Sequence, residues 1–121
     1  MKGNVVHKCV SDSGIVKENW GSLTWLASGK ILNTESLTLG RVVIKKGMYN
    51  PRHIHPNSEE VLYLLDGKLE HLLGDEKVIL EKGDSILIRA GVVHNAVNIG
   101  ETDADMIVAY PTAERQMKPI D

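Results

Sequence analysis

At 121 residues, 42% hydrophobic and 25% charged, the chain is long enough to build one hydrophobic core and too short for two. A net charge of −2 gives no electrostatic reason to expect nucleic acid or an anionic membrane as a partner, and no apolar run approaches the roughly 20 residues that cross a bilayer. The first residues lack the apolar stretch of a secretory signal and the lone Cys9 cannot form an internal disulfide, so we expect one cytoplasmic domain over residues 1–121.

Short apolar stretches separated by glycine-containing turns recur along the chain. Turns at intervals of about eight to twelve residues, with no long amphipathic helix between them, predict an all-β sandwich or barrel. In chain order, strands are predicted over residues 23–26, 37–45, 52–55, 60–65, 69–73, 77–80, 85–89, 94–98 and 105–110.

The third predicted strand carries two histidines in an alternating pattern. Residues i and i+2 project from the same face of a strand, so His53 and His55 can converge on one ion, whereas a helix would direct them about 200° apart. The turn-forming residues 56–58 then let the chain bend and restart. Glu60 therefore opens a second strand that faces the same interior and ends at the hairpin sequence 66–67.

This segment resembles the first conserved motif of the cupin superfamily. The positions that carry the resemblance are Gly47, His53, His55, Glu60 and Gly67, and their spacing agrees with that motif (residues 47–67) at every fixed position. Glu59 is a rival for the carboxylate position, since some members use a shorter gap, but only Glu60 also lies at the motif's interval before Gly67.

Residues 83–98 are similar to the second cupin motif. Gly83, Gly91, His94 and Asn98 lie at the expected intervals, while Arg89 replaces the usual proline and leaves the geometry of that turn open. The two motifs together cover nearly half of the chain. The resemblance implies a double-stranded β-helix, or jelly-roll barrel, as the fold.

The resemblance also implies one metal site, with His53, His55, Glu60 and His94 as its ligands. Imidazole nitrogens and a carboxylate oxygen suit Mn, Fe, Ni or Zn as a divalent ion. Three neutral imidazoles and one carboxylate leave such a site near +1, which favours an anionic or chelating small molecule. A six-coordinate ion would keep two positions for water, substrate or dioxygen.

Other histidines and Asn98 fit a structural role better. A single histidine in a β-rich core is more often hydrogen-bonded than metal-bound, and His7 and His71 match neither motif. We predict that both lie at the surface, His7 in a tail and His71 on a hairpin strand. Asn98 matches the second motif at a position that supports the fold, with contact to a ligand as the alternative.

Substrate contacts are predicted from strand parity and family position. Leu62, Leu64 and Ala96 share the inward faces of the proposed ligands, so we expect a largely apolar pocket. Candidates for its mouth are Trp25, Met48, Arg52, Tyr63, Arg89 and Met106. We select Arg52, Tyr63 and Met48 as substrate-binding residues, with Arg52 holding a carboxylate through two hydrogen bonds; a solvated surface arginine is the alternative.

Three classes of function fit these ligands. The first is a metal-dependent oxidoreductase, similar to a dioxygenase, that acts on a small chelating or anionic molecule. The second is a non-redox lyase or isomerase of sugar acids or enols, in which the metal polarises a carbonyl. The third is a binding or sensing module without turnover. By analogy with small cupins we expect a homodimer, with the strands of residues 1–35 in the dimer contact.

Overall fold

The computed structural model describes residues 6–8 and 14–120, and every regular element in that part of the chain is a β-strand. The strands are β1 (Ile15–Glu18), β2 (Gly21–Ala27), β3 (Thr38–Ile44), β4 (His53–Ile54), β5 (Glu60–Asp66), β6 (Lys68–Leu73), β7 (Glu76–Glu81), β8 (Ser85–Ile88), β9 (His94–Asn98), β10 (Ala104–Tyr110) and β11 (Lys118–Pro119). The predicted all-β class is confirmed. No helix in the described ranges has the length and hydropathy needed to span a membrane. Cys9 lies outside the described residues.

Two antiparallel sheets form the jelly roll. The first has the order β1-β2-β3-β10-β5-β8, and the second has the order β11-β4-β9-β6-β7. Strands that are distant in sequence are therefore neighbours, and β10 lies between β3 and β5 while β9 lies between β4 and β6. This arrangement brings the start of β5 and the start of β9 to the same interior region.

The alternation of side chains explains which face of each strand is buried. On β10 every second residue from Ala104 to Tyr110 is buried, and on β5 Glu60, Leu62 and Leu64 are buried while the residues between them are exposed. Such a period of two is expected of strands with one face on a core. Since Glu60 lies on the same face as Leu62, the fold places a carboxylate in an apolar interior.

All nine predicted strands correspond to observed strands, and two short strands were missed. β1 and β11 are both edge strands. In β11 only two residues pair with β4, Lys118 with Ile54 and Pro119 with His53. A pair of residues that includes a proline is too short to show alternation, so local sequence could not predict it.

The two turns that belong to the motifs form in different ways. Gly67 has a φ of +100°, and a Cβ atom there would lie 2.9 Å from the Cα of Ala104, so both the backbone conformation and the packing require glycine. At the second turn, the Val92 amide donates to the Arg89 carbonyl at 3.3 Å. This turn therefore closes without the proline that is usual at position 89.

Candidate metal centre

The fold brings the four predicted ligands together. His53, His55, Glu60 and His94 each offer a donor atom, and these atoms all lie within 4.8 Å of one another. His53 is on β4 and pairs in register with His94 at the start of β9, while Glu60 reaches in from β5 of the other sheet. His55, Glu60 and His94 are buried, and His53 is half-buried.

Backbone carbonyls fix the orientation of all three imidazoles. Nδ1 of His53 lies 2.7 Å from the Pro51 carbonyl, Nδ1 of His94 lies 2.9 Å from the Val92 carbonyl, and Nδ1 of His55 lies 2.8 Å from the carbonyl of residue 116. A carbonyl can only accept, so each Nδ1 carries the hydrogen and donates it. Each Nε2 is then left with a lone pair, which is the form that binds a metal.

Two imidazole Nε2 atoms lie close to the Glu60 carboxylate, but no hydrogen bond accounts for these short distances. Nε2 of His55 and Nε2 of His94 are buried and have no hydrogen-bond partner, yet they lie 3.1 and 3.4 Å from Oε1 of Glu60. Lone pairs that face a carboxylate repel it unless a cation lies between them, and buried polar atoms without partners are rare. The donor set therefore fits a divalent metal ion.

Ionisation of the cluster agrees with this interpretation. Burial, and next the electrostatic interaction with His94, lower the pKa of His53 to about 4, so its imidazole is neutral at pH 7. Burial alone would raise the pKa of Glu60, but without a metal the hydrogen bonds and positive charge that His55 and His94 supply when they carry a proton on Nε2 more than offset this and hold the pKa well below its usual range. Glu60 is therefore a carboxylate and His53 offers a free lone pair.

The cluster opens into a cavity of about 290 Å³ between the two sheets. Its wall is largely apolar, and the apolar side chains come from β2, β3, β5, β9 and β10 as well as the loop before β2: Trp20, Leu23, Val42, Leu62, Ala96, Met106 and Val108. Leu64 is buried on the same face of β5 but lies outside this wall. The predicted apolar pocket is thus present, with the four donors in its wall.

His71 is not at the surface, which corrects the prediction made from sequence. It is 1% exposed, lines the cavity, and stacks on His94 with ring centroids 5.9 Å apart and an angle of 9° between the planes. On β6, Leu69 and His71 both point inward, because they are two residues apart. His7 is half-buried.

The sequence comparison identifies the fold family. The model of the Cupin domain family matches residues 40–110, a stretch that contains both motifs and all four donors. The chain belongs to the cupin family.

Two relatives of this cupin are plant proteins. It is 37% identical over 84 residues to germin-like protein subfamily 2 member 1 of Arabidopsis thaliana, covering 65% of this chain and 38% of that protein. It is 33% identical over 86 residues to oxalate oxidase GF-2.8 of Triticum aestivum, covering 64% and 38%. This cupin therefore spans well under half the length of these two relatives.

A solved structure shows the same fold. Bacillus subtilis oxalate decarboxylase, described as having Mn(II) centres, superposes with a TM-score of 0.84 at 16% identity, covering 90% of this cupin and 30% of that chain.

The three residues predicted to bind substrate lie outside the cavity wall of this cupin. Tyr63 is 44% exposed because it alternates with inward-facing neighbours on β5, and Met48 is 36% exposed. Arg52 is exposed, and its backbone carbonyl accepts a hydrogen bond from the Ile120 amide. Of the other candidates for the mouth, Met106 does line the cavity.

Two of the polar residues in the cavity wall that sequence reasoning did not select are Tyr110 and Arg115. Tyr110 is 5% exposed, and its ring packs edge-on against the ring of His55 with centroids 5.0 Å apart. Burial, and next the Glu60 carboxylate, raise the pKa of the Tyr110 hydroxyl well above its usual value, so it stays protonated. The second residue is Arg115, in the segment after β10. Tyr110 could have been found from its parity with Met106 on β10.

The structure also bears on the predictions for Glu60 and Asn98. Glu60 is 4% exposed and belongs to the cluster, whereas Glu59 is exposed, which supports the choice between them. Asn98 is buried, and its side-chain amide donates to the carbonyls of Ile44 and Thr102, both at 2.9 Å. Asn98 therefore joins two chain segments and has the structural role that was expected.

Proposed function

We propose that this cupin is a metal-dependent oxidoreductase that acts on a small organic anion with dioxygen as the co-substrate. The observation that carries the proposal is the set of four donor atoms within 4.8 Å of one another, in the wall of a largely apolar cavity. Such a set of nitrogen and carboxylate donors suits a redox-active divalent ion such as Mn or Fe. When bound, the ion would supply Lewis-acid polarisation of a chelating oxygen and electron transfer with dioxygen.

Relatives of the chain support this class of chemistry. One of them is an oxalate oxidase, and a protein with the same fold is an oxalate decarboxylase with Mn(II) centres. Both act on a small dianion. For this cupin a small carboxylate is therefore a reasonable first substrate class, although the chain covers only part of each relative.

The residues of the site favour an anion for electrostatic reasons. Three neutral imidazoles and the Glu60 carboxylate contribute −1, so a divalent ion leaves a net charge near +1 in an apolar cavity of low dielectric. The Tyr110 hydroxyl remains protonated beside Glu60 and adds no negative charge. The apolar wall limits water at the donors and strengthens the attraction for a charged ligand.

The test is oxygen uptake by protein loaded with Mn(II) or Fe(II), measured with a panel of small carboxylates that includes oxalate. Glu60→Gln removes one donor and should lower uptake at least about 100-fold. Glu59→Gln is the matched control, since Glu59 is the exposed neighbour, and its uptake should equal that of the wild type. Equal rates in both variants, or no uptake with any carboxylate, would overturn the proposal.

A second candidate is a non-redox lyase or isomerase, and His71 is the observation that favours it. His71 lines the cavity but is not one of the four donors. Its Nδ1 donates to the Leu72 carbonyl at 3.0 Å, so its Nε2 keeps a lone pair that can accept a proton from a substrate. Substrate conversion under anaerobic conditions that is lost in His71→Leu would favour this candidate. Tight binding without conversion would indicate a binding module.

We also propose that the protein is a homodimer, with its contact on the outward face of β5 and β8 in place of the residues 1–35 expected from the sequence. The outward face of β5 and β8 exposes a row of apolar side chains: Val61, Tyr63, Leu65 and Leu87, each 38–46% exposed. Contiguous apolar surface of this kind is usually covered in solution. Sedimentation equilibrium should give twice the chain mass, and Tyr63→Glu should shift the equilibrium toward monomer. A monomer at micromolar concentration would contradict this assembly.

A further inference from the structure

Arg115 lines the same cavity as the four donors. Its guanidinium carbon lies 4.3 Å from the ring centroid of Trp25 and 5.4 Å from that of Tyr110. Tyr110 in turn packs against His55 at 5.0 Å. The guanidinium is therefore separated from the proposed metal ligands by a single aromatic ring.

No acidic side chain pairs with this guanidinium within residues 6–8 and 14–120. The exposed Arg41, in contrast, forms a salt bridge with Asp105 at 2.6 Å. Two carboxylates line the cavity: Glu60, which belongs to the donor cluster, and Glu18, which is exposed on β1 and forms no salt bridge with Arg115. Aromatic faces attract the charge of Arg115 but do not accept its in-plane N–H donors, which remain available to a ligand.

The segment that carries Arg115 is held in place on both sides. The side chain of Asn57 donates to the Glu114 carbonyl at 3.0 Å and accepts from the Gln116 amide at 2.9 Å. The Gln116 carbonyl then accepts from Nδ1 of His55 at 2.8 Å. His55, a candidate metal ligand, is thus hydrogen-bonded to the residue after Arg115. This contact fixes the position of the Arg115 segment relative to the donor cluster, as a binding residue requires.

We propose that Arg115 is the anion-binding residue of this cavity. It binds the carboxylate of a ligand whose other end presents oxygen donors to the metal, so this inference rests on the proposed function. The wall between the two ends is apolar, which selects a short apolar spacer. The ligand class is therefore a small dicarboxylate, or an acid with a second oxygen donor beyond such a spacer. Arg115 and the metal cluster would each contribute a positive charge to its binding.

Calorimetric titration of the Mn(II)-loaded protein tests this assignment with four probes. Oxalate is short and engages the metal alone, whereas succinate, glutarate and adipate place a second carboxylate beyond a spacer. Arg115→Gln should weaken the best-binding longer acid at least about 10-fold and change oxalate binding less than about 2-fold. Arg115→Lys should give an intermediate loss, and Arg52→Gln, an exposed arginine outside the wall, should change neither. Equal losses for oxalate and the longer acids, or none, would overturn the inference.

Metal-free protein separates this inference from the proposed function. Trp25 contacts Arg115, so a carboxylate bound there should alter tryptophan fluorescence even without metal. A titration with glutarate should show a saturable change in the wild type that is lost in Arg115→Gln and in Trp25→Phe. Failure of oxalate to bind the metal-loaded protein, with this fluorescence change retained, would contradict the proposed function only. Absence of the change in the wild type would overturn the role of Arg115 only.

Discussion

Lowering the pH should destabilise the metal-free protein. His53 and His71 determine how steeply its free energy of unfolding falls with pH. Burial, and then the electrostatic interaction with His94, lower the pKa of His71 to about 4, and the same two causes lower the pKa of His53 to about 4. Glu60 faces both imidazoles and acts in the opposite direction, but less strongly. In the unfolded chain both histidines titrate near a pKa of about 6.5. Between these values the unfolded state holds more protons, so the free energy of unfolding decreases as the pH falls from about 6.5 to about 4.

The magnitude follows from the size of the shift. One pKa unit corresponds to about 1.4 kcal/mol, so the shift of His71 alone amounts to about 3 kcal/mol across this window. Near pH 5 each of the two histidines should add about 1.4 kcal/mol per pH unit to the slope of stability against pH. The wild type should therefore lose close to 3 kcal/mol per pH unit there, a large share of the 5–15 kcal/mol typical of a small domain.

Urea unfolding in the presence of EDTA, at intervals from pH 7.5 to pH 4.5, measures this slope. His71→Leu replaces the imidazole with an apolar side chain of similar volume and should reduce the slope near pH 5 to about half, because one of the two titrating groups is gone. A slope that is unchanged in His71→Leu would refute the reasoning. So would a wild type whose stability is constant or rises on acidification.

Three substitutions test other parts of the site. Asn57→Ala removes the hydrogen bonds that hold the segment whose Gln116 carbonyl accepts from His55. It should weaken Mn(II) binding about 10-fold by calorimetry, although no metal ligand is altered. Unchanged affinity would show that these hydrogen bonds do not support the site. Gly67→Ala should lower the free energy of unfolding by about 2 kcal/mol, because a Cβ at φ +100° would also meet Ala104, and a neutral result in urea would count against this conformation. Ala96→Phe should fill the cavity and abolish oxalate binding while metal binding persists; retained oxalate affinity would place the ligand elsewhere.

The four proposed metal ligands could be predicted from the sequence, because they lie at fixed spacings within two motifs. The alternation of His53 and His55 and the two glycine-framed motifs indicated which four side chains to group, and the structure brings their donor atoms within 4.8 Å. The fold class followed from the same spacing. Within one strand or one turn, period and turn chemistry determine side-chain direction, whereas the grouping of His94 with the other three donors came from the resemblance to the cupin motifs.

His71 shows how a correct strand can still be misinterpreted. The strand over residues 69–73 was predicted, and Leu69 is fully buried, so period-two alternation places His71 on the buried face as well. Its place on a hairpin strand, outside both motifs, had suggested the surface. A polar residue at an inward position of a predicted strand is better taken as a candidate for the cavity.

Arg115 could not be placed from sequence because long-range contacts determine its position. It follows the last long strand, and the contacts that orient its segment come from Asn57 and from the pairing of β11 with β4. Arg52 was chosen instead because it is adjacent to His53 in the chain, yet it lies outside the cavity wall. Adjacency along a strand does not determine which arginine faces the interior, since neighbours point to opposite faces.

Anomalous diffraction at the manganese edge, from crystals grown with Mn(II), is the most direct test of the central claim. One ion per chain should appear in contact with Nε2 of His53, His55 and His94 and with a carboxylate oxygen of Glu60, at distances of about 2.0–2.3 Å. A peak that contacts a different set of side chains would contradict the account. So would the absence of a peak when the protein in solution binds one equivalent of Mn(II).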